Sequence, residues 1–154
     1  MHSDFTQSCL AQEMEARHCI CAVVARLKDL GLAPERAGDV ELVLAEAINN
    51  IVEHAYAGGD PGEVRVQAAL SDDSLVIRLS DDGAALPEER IPAARLPDAD
   101  GDLDDLPEGG FGWFLIRSLT SAVRYERSEG SNQLALFFKI DSDELPGLSH
   151  SVSA

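Results

Sequence analysis

Apolar residues recur at helical spacing through the first third of the chain. Their spacing predicts a helix over residues 11–30, which Gly31 ends, and its apolar positions are Ala16, Ile20, Val23, Val24, Leu27 and Leu30. Pro34 suits the first turn of a second helix, predicted to run to Tyr56 and to end in a glycine-rich segment. Phe5 indicates a short strand before both helices.

The spacing becomes alternating after residue 62. Residues 64–70 and 75–79 alternate around a predicted turn at 71–73, and residues 122–127 and 133–140 alternate around a turn at 129–132. A short helical pattern over residues 111–119 lies between these pairs. Because each alternating strand offers one apolar face, we expect an α+β fold. The expected architecture is a two-layer sandwich, with helices on one face of a mixed, mainly antiparallel sheet.

Residues 84–108 show neither pattern. They contain four prolines and six acidic residues toward their end, and a loop of this length in a small domain is usually functional.

The length of 154 residues favours a single domain. We place that domain at residues 1–140 and a flexible tail at 141–154.

Charge and composition exclude several classes of protein. With 28 acidic and 12 basic side chains, the formal net charge is −16, which would repel a nucleic-acid backbone. The longest apolar run, residues 19–25, is too short to cross a membrane, and no basic segment followed by an apolar one begins the chain. Cys9, Cys19 and Cys21 contain no Cys-x-x-Cys pair and are expected to be reduced thiols. We expect a cytoplasmic protein without nucleic-acid or membrane partners.

The second helix carries polar side chains along the edge of its apolar stripe. Glu46 and Asn50 lie one turn apart, where they would supply a general base and a neutral oxygen ligand for a cation such as Mg²⁺. Acids and amides in such positions also occur on helices that simply face solvent, so this motif alone leaves both interpretations open.

Two further features come later in the chain. Asp81 continues the alternation of Leu75, Ile77 and Leu79, so Asp81 rather than Asp82 should face the buried side, where it can accept a hydrogen bond from an amino group such as that of adenine. A glycine-rich run at 109–112 opens a helix, an arrangement whose free N–H groups suit a phosphate. Seen alone, each is also compatible with an ordinary turn.

In this order, the three features resemble the N, G1 and G2 boxes of the GHKL ATPases. The boxes are Glu46-x-x-x-Asn50 on a helix, Asp81-x-Gly83 after a strand and Gly110-x-Gly112 at a helix start. The small size and the run over residues 109–117 are most similar to the bacterial anti-sigma-factor serine/threonine kinases. The likeness spans residues 5–140 and implies that superfamily's ATP-binding fold.

The resemblance implies a role for each motif residue. Glu46 would be the base that orients or deprotonates the attacking hydroxyl, and Asn50 would bind Mg²⁺ on the ATP phosphates. Asp81 would hold the adenine amino group, and Gly83 would let the backbone approach the base.

The same resemblance implies that Gly110 and Gly112 contact the phosphates and that residues 84–108 form the ATP lid. The implied reaction is transfer of the γ-phosphoryl group to a serine or threonine of an anti-sigma-factor antagonist. A sigma factor or comparable regulator would be the second partner, and whether the protein forms a homodimer stays open.

Two alternatives remain beside the kinase. The acidic lid offers only Arg90 and Arg95 as cations for the γ-phosphate, which favours a module that binds nucleotide or partner without transferring phosphate. The ATP-binding part of a histidine-kinase-like system is disfavoured, because no helix with a phospho-acceptor histidine is expected before the domain. We interpret Trp113 as part of a helix core and not as an aromatic binding platform.

Overall fold

Five strands form one sheet in the part of the chain that the computed structural model describes, which is residues 2–56, 59, 62–92 and 110–141. In chain order, the elements are β1 His2–Leu10, α1 Glu13–Asp29, α2 Pro34–Asn50 with a π-helical turn Ile51–Ala55, β2 Glu63–Ser71, β3 Ser74–Asp81, a 3-10 turn Pro87–Glu89, α3 Gly110–Leu119, β4 Ala122–Ser128 and β5 Ser131–Lys139.

The strand order is β1-β2-β3-β5-β4, and all four pairings are antiparallel. Asp72 and Asp73 join β2 to β3, as the sequence predicts. Glu129 and Gly130 join β4 to β5 with φ angles of 50° and 81°, which suits a two-residue hairpin. The predicted turn at 129–132 is therefore too long, because β5 begins two residues earlier than its apolar positions indicate.

The helices cover one face of the sheet. Along β2 and β3, alternate side chains are buried, and the fully buried Ile77 of β3 pairs with the fully buried Leu136 of β5. The apolar stripe of α2 is equally buried, with Val40, Val43 and Leu44 at 0% exposure. The opposite sheet face presents polar residues such as Arg65 and Gln67. These two layers confirm the expected α+β class.

Two element boundaries differ from the prediction. β1 is a full edge strand of nine residues, since it pairs with β2 from His2 to Leu10, whereas its mostly polar sequence indicated only a short strand at Phe5. The regular α-helix of α2 ends at Asn50 and not at Tyr56, because the following five residues form a π-helical turn.

The described part of the predicted loop, residues 84–92, contains the short 3-10 turn. The rest of the predicted lid, residues 93–108, and the predicted tail from residue 142 onward lie outside the described residues. Within the described ranges, no helix has the length and apolarity needed to span a bilayer.

Two leucines of α2 test the packing of this helix with the same substitution. Leu44 is fully buried, whereas Leu42 is 51% exposed. We expect Leu44→Ala to lower the free energy of unfolding by about 2–5 kcal/mol, because it leaves a cavity in the core. Leu42→Ala should change it by less than about 0.5 kcal/mol. Urea unfolding of both variants measures the difference, and equal effects would contradict the orientation of α2.

Candidate nucleotide site

A small cavity lies between the end of α2 and the end of β3. Its walls combine side chains from the helix end, from β3, β4 and β5, and from α3, including Asn50, His54, Asp81, Trp113, Tyr125 and Asn132. Its volume is about 30 Å³, which leaves room for little more than a water molecule. A ligand the size of adenine would therefore have to displace side chains that line the cavity, such as those of Leu86 and Trp113.

Asp81 points into this cavity from the last position of β3. It is 4% exposed, whereas Asp82 is exposed, so the predicted direction of the two carboxylates is confirmed. Oδ1 of Asp81 accepts hydrogen bonds from the Gly83 N–H at 2.9 Å and from Nδ2 of Asn132 at 2.8 Å. The carboxylate is therefore held by the protein through one of its two oxygens.

A cluster of β4 and β5 side chains supports Asp81 and was missed by the sequence analysis. Asn132 is 6% exposed, and its Oδ1 accepts hydrogen bonds from the Tyr125 hydroxyl and, at 3.0 Å, from the Arg127 guanidinium. The guanidinium also donates to the Gly83 carbonyl at 2.6 Å. The alternation of Leu134, Leu136 and Phe138, extended backward by two residues, would have placed Asn132 on the buried face.

Among the described residues that line the cavity, Asn50 is the one with a fully buried side-chain polar atom that has no hydrogen-bond partner. It is 7% exposed, and its buried Nδ2 atom has no hydrogen-bond partner in the described part of the protein. Leaving a buried amide unsatisfied costs about 1–3 kcal/mol, so such a group indicates a missing partner. A carboxamide can give its oxygen to Mg²⁺ and its amino group to a phosphate oxygen, so Asn50 fits both.

Glu46 lies one turn before Asn50 but faces a different depression. It lines a groove of about 510 Å³ between α1 and α2, which Arg17 and Glu41 also line. Its carboxylate lies close to α3: a Cβ added to Gly112 would be 2.7 Å from Oε2 of Glu46. The absence of a side chain at Gly112 therefore lets Glu46 approach the first turn of α3. Gly110, the first residue of that helix, is positioned at its N-terminus as predicted.

Gly83 lies against the π-helical turn after α2. A Cβ at this position would be 2.4 Å from the Ala55 carbonyl oxygen, and the neighbouring Ala84 N–H donates to that oxygen at 2.7 Å. Gly83 thus allows the chain after β3 to pack against the π-helical turn that follows α2. Its implied approach to a bound base stays a prediction.

Tyr56 connects the helix end to the same strand end. Its hydroxyl accepts a hydrogen bond from the Asp82 N–H at 3.0 Å and donates to the Glu63 carbonyl at 3.1 Å. Burial is the main reason that the pKa of Tyr56 is raised above its ordinary value, so the hydroxyl stays protonated and able to donate at neutral pH.

The structure brings the predicted residues together in two groups. Asn50 and Asp81 line one cavity, and Glu46 lies against Gly112 beside a groove. Trp113 is 4% exposed, as expected of a helix core, and it also lines the cavity. The arrangement offers a buried acceptor, an unpartnered amide and a half-buried carboxylate around the start of α3.

Gly83→Ala tests the contact between β3 and α2. The added methyl group would collide with a backbone oxygen, so we expect the free energy of unfolding to fall by about 1–3 kcal/mol. Gly38→Ala is the matched control, because a Cβ there meets nothing within 4 Å and the residue lies inside α2. The control should stabilise the protein by up to about 1 kcal/mol. Urea unfolding that showed stabilisation by both substitutions would contradict the close contact.

Known proteins resemble this chain in sequence and in fold. Residues 9–138 match the histidine kinase-like ATPase domain. The serine-protein kinase RsbW of Listeria monocytogenes serotype 4a (strain HCC23) is 35% identical over 101 residues, which are 65% of this chain and 64% of the relative. The serine-protein kinase RsbW of Oceanobacillus iheyensis is 31% identical over 102 residues, or 66% of this chain and 65% of the relative. The chain thus matches less than two thirds of the length of these relatives, 64% and 65%.

A solved structure shows the same fold. The RsbU and RsbW domains of Rv1364c from Mycobacterium tuberculosis superpose on 88% of this chain, with a TM-score of 0.61 and 20% identity, and the match covers 32% of that longer chain. The match to the family extends from β1 to β5 and includes all the elements that surround the cavity. The chain therefore belongs to the histidine kinase-like ATPase domain family.

Proposed function

We propose that this protein binds ATP with Mg²⁺ and transfers the γ-phosphoryl group to a serine or threonine of an anti-sigma-factor antagonist. It would act in the cytoplasm and hold a sigma factor or comparable regulator as its second partner. The observation that carries the proposal is the pairing of a buried carboxylate, Asp81, with a buried unpartnered amide, Asn50, in one cavity. Relatives named serine-protein kinases support the reaction type.

Asp81 would recognise the base. Its Oδ1 atom already accepts two protein hydrogen bonds, so Oδ2 is the oxygen available to the exocyclic amino group of adenine. The buried position strengthens this contact, because water does not compete for the acceptor.

Asn50 would hold the metal and the phosphates. When bound, Mg²⁺ would neutralise part of the phosphate charge during transfer. The carboxamide of Asn50 would orient this charged group at the end of α2, and the positive end of the α3 dipole would attract the phosphates as well.

Glu46 would act on the attacking hydroxyl. The groove that it lines has a volume of about 510 Å³, against about 30 Å³ for the cavity beside Asn50, and would be the place for the acceptor segment. In the transfer, the bond from the γ-phosphorus to its bridging oxygen breaks, and a bond to the serine or threonine oxygen forms. The hydroxyl proton passes to the Glu46 carboxylate, and ADP is released.

A nucleotide-binding module without transfer is the second candidate. Arg90 at the described end of the predicted lid is paired with Glu88 at 2.5 Å, so its charge is already shared with a carboxylate. Arg95 lies outside the described residues. This pairing favours binding over turnover, and the phosphotransfer assay below separates the two candidates.

Asn50→Ala should lower the affinity for Mg²⁺-ATP by at least about tenfold, because it removes the proposed metal ligand. The unfolding temperature without nucleotide should not fall, since the Nδ2 atom has no partner to lose among the described residues. Asn49→Ala is the matched control, because this exposed neighbour bonds Glu53 at the surface. The fluorescence of the single tryptophan, Trp113, which lines the cavity, reports binding. Unchanged affinity of Asn50→Ala at saturating Mg²⁺ would contradict the metal role.

Glu46→Gln should reduce phosphate transfer by about 100-fold or more while ATP still binds, because the amide cannot accept the hydroxyl proton. The assay follows label from γ-labelled ATP to a candidate anti-sigma-factor antagonist protein that carries a serine or threonine acceptor. Glu53→Gln, an exposed acid on the turn after α2, should transfer at the wild-type rate. Tight ATP binding by the wild type without any transfer would support the binding module instead.

A further inference from the structure

We propose that Asn132 is a positioning residue for nucleotide selection. Its carboxamide holds one oxygen of Asp81, so that the other oxygen stays directed at the amino group that distinguishes adenine from hypoxanthine. This inference rests on the proposed binding of ATP, and it adds a residue outside the three sequence motifs.

The chemistry of its neighbours fixes the orientation of the Asn132 carboxamide. The guanidinium of Arg127 can only donate hydrogen bonds, and the carbonyl of Ala84 can only accept them. The Arg127 guanidinium lies 3.0 Å from Oδ1 of Asn132, and the Ala84 carbonyl oxygen lies 2.8 Å from its Nδ2. The opposite orientation would face donor with donor and acceptor with acceptor, so Nδ2 must point toward Asp81.

The contact with Asp81 then restricts rotation of the carboxylate. Nδ2 of Asn132 and the Gly83 N–H both donate to Oδ1 of Asp81. The side chains of Asp81 and Asn132 are buried, with 4% and 6% exposure. Turning the carboxylate would break two hydrogen bonds to an acidic oxygen in a buried site, where no water replaces them. Oδ2 is thereby held in a constant direction.

The same cluster also holds the chain that leaves β3. The second N–H of Asn132 donates to the Ala84 carbonyl, and Arg127 donates to the Gly83 carbonyl. The Tyr125 hydroxyl accepts from the Leu86 N–H at 3.1 Å while it donates to Asn132. Asn132 therefore connects the recognition carboxylate to the backbone that forms the cavity rim, and its loss should affect which base is bound.

Asn132→Asp provides the test, because it keeps the shape and replaces the donor with a second acidic oxygen facing Asp81. Affinities for ATP and for inosine triphosphate are compared, since the latter carries a carbonyl in place of the amino group. We expect the preference for ATP to fall by about tenfold or more. Gln133→Glu is the matched control, because it makes the same chemical change at the next, exposed residue on the opposite face of β5 and should keep the wild-type preference.

Tyr125→Phe keeps the ring and removes the hydroxyl, which bonds both Asn132 and the Leu86 N–H. Since Arg127 still holds Oδ1, we expect a smaller loss of preference, about twofold to fivefold. This variant decides the question if Asn132→Asp does not fold, which circular dichroism and thermal unfolding would reveal. An unchanged preference in Tyr125→Phe would then overturn the inference.

The remaining outcomes separate this inference from the proposed function. If Asn132→Asp folds and keeps the wild-type preference, or weakens both nucleotides equally, Asn132 has only a structural role and the inference fails while ATP binding stands. If the wild type itself shows no preference for ATP over inosine triphosphate, adenine recognition by Asp81 fails and the inference fails with it.

Discussion

The candidate site depends on the close contact between the end of β3 and the turn that follows α2. The Ala84 N–H bonds the Ala55 carbonyl at 2.7 Å, and only a residue without a Cβ fits at Gly83. This contact brings Asp81, at the end of a strand, to the same cavity as Asn50, at the end of a helix. A larger separation of the two backbones would leave the carboxylate and the amide in separate places.

The burial of α2 sets the second constraint, because its apolar stripe fixes the rotation of the helix on the sheet. Val40, Val43, Leu44 and Ala47 are at most 1% exposed, so the helix cannot turn without exposing them. In this rotation, Asn50 faces the cavity and Glu46 faces α3 and the groove. One helix thus directs Asn50 and Glu46, the two residues to which we assign separate roles, into different depressions.

Much of this arrangement follows from local sequence patterns. The direction of Asp81 could be predicted because it continues an alternation that three apolar residues establish, and the helix rotation follows from its stripe. Asn132 was missed because a polar residue two positions after Gly130 has the composition of a turn. The alternation of Leu134 and Leu136 can be extended back to it, but only its pairing with Asp81 on β3 shows that the strand begins early enough to include it. Contacts between residues 51 positions apart in sequence leave no periodic signal. The sequence likewise could not tell that Glu46 and Asn50 line different depressions.

The π-helical turn after Asn50 has a consequence for how this protein tolerates change. A hydrogen-bonded ring from residue i to i+5 encloses one more residue than the ring of an α-helix, so the segment from Ile51 to Ala55 carries a residue that a regular helix would not need. The deletion of one residue here during evolution would restore ordinary helix without moving Asn50. Homologous chains that lack one residue at this point would therefore keep α2, including Asn50, in the same position on the sheet.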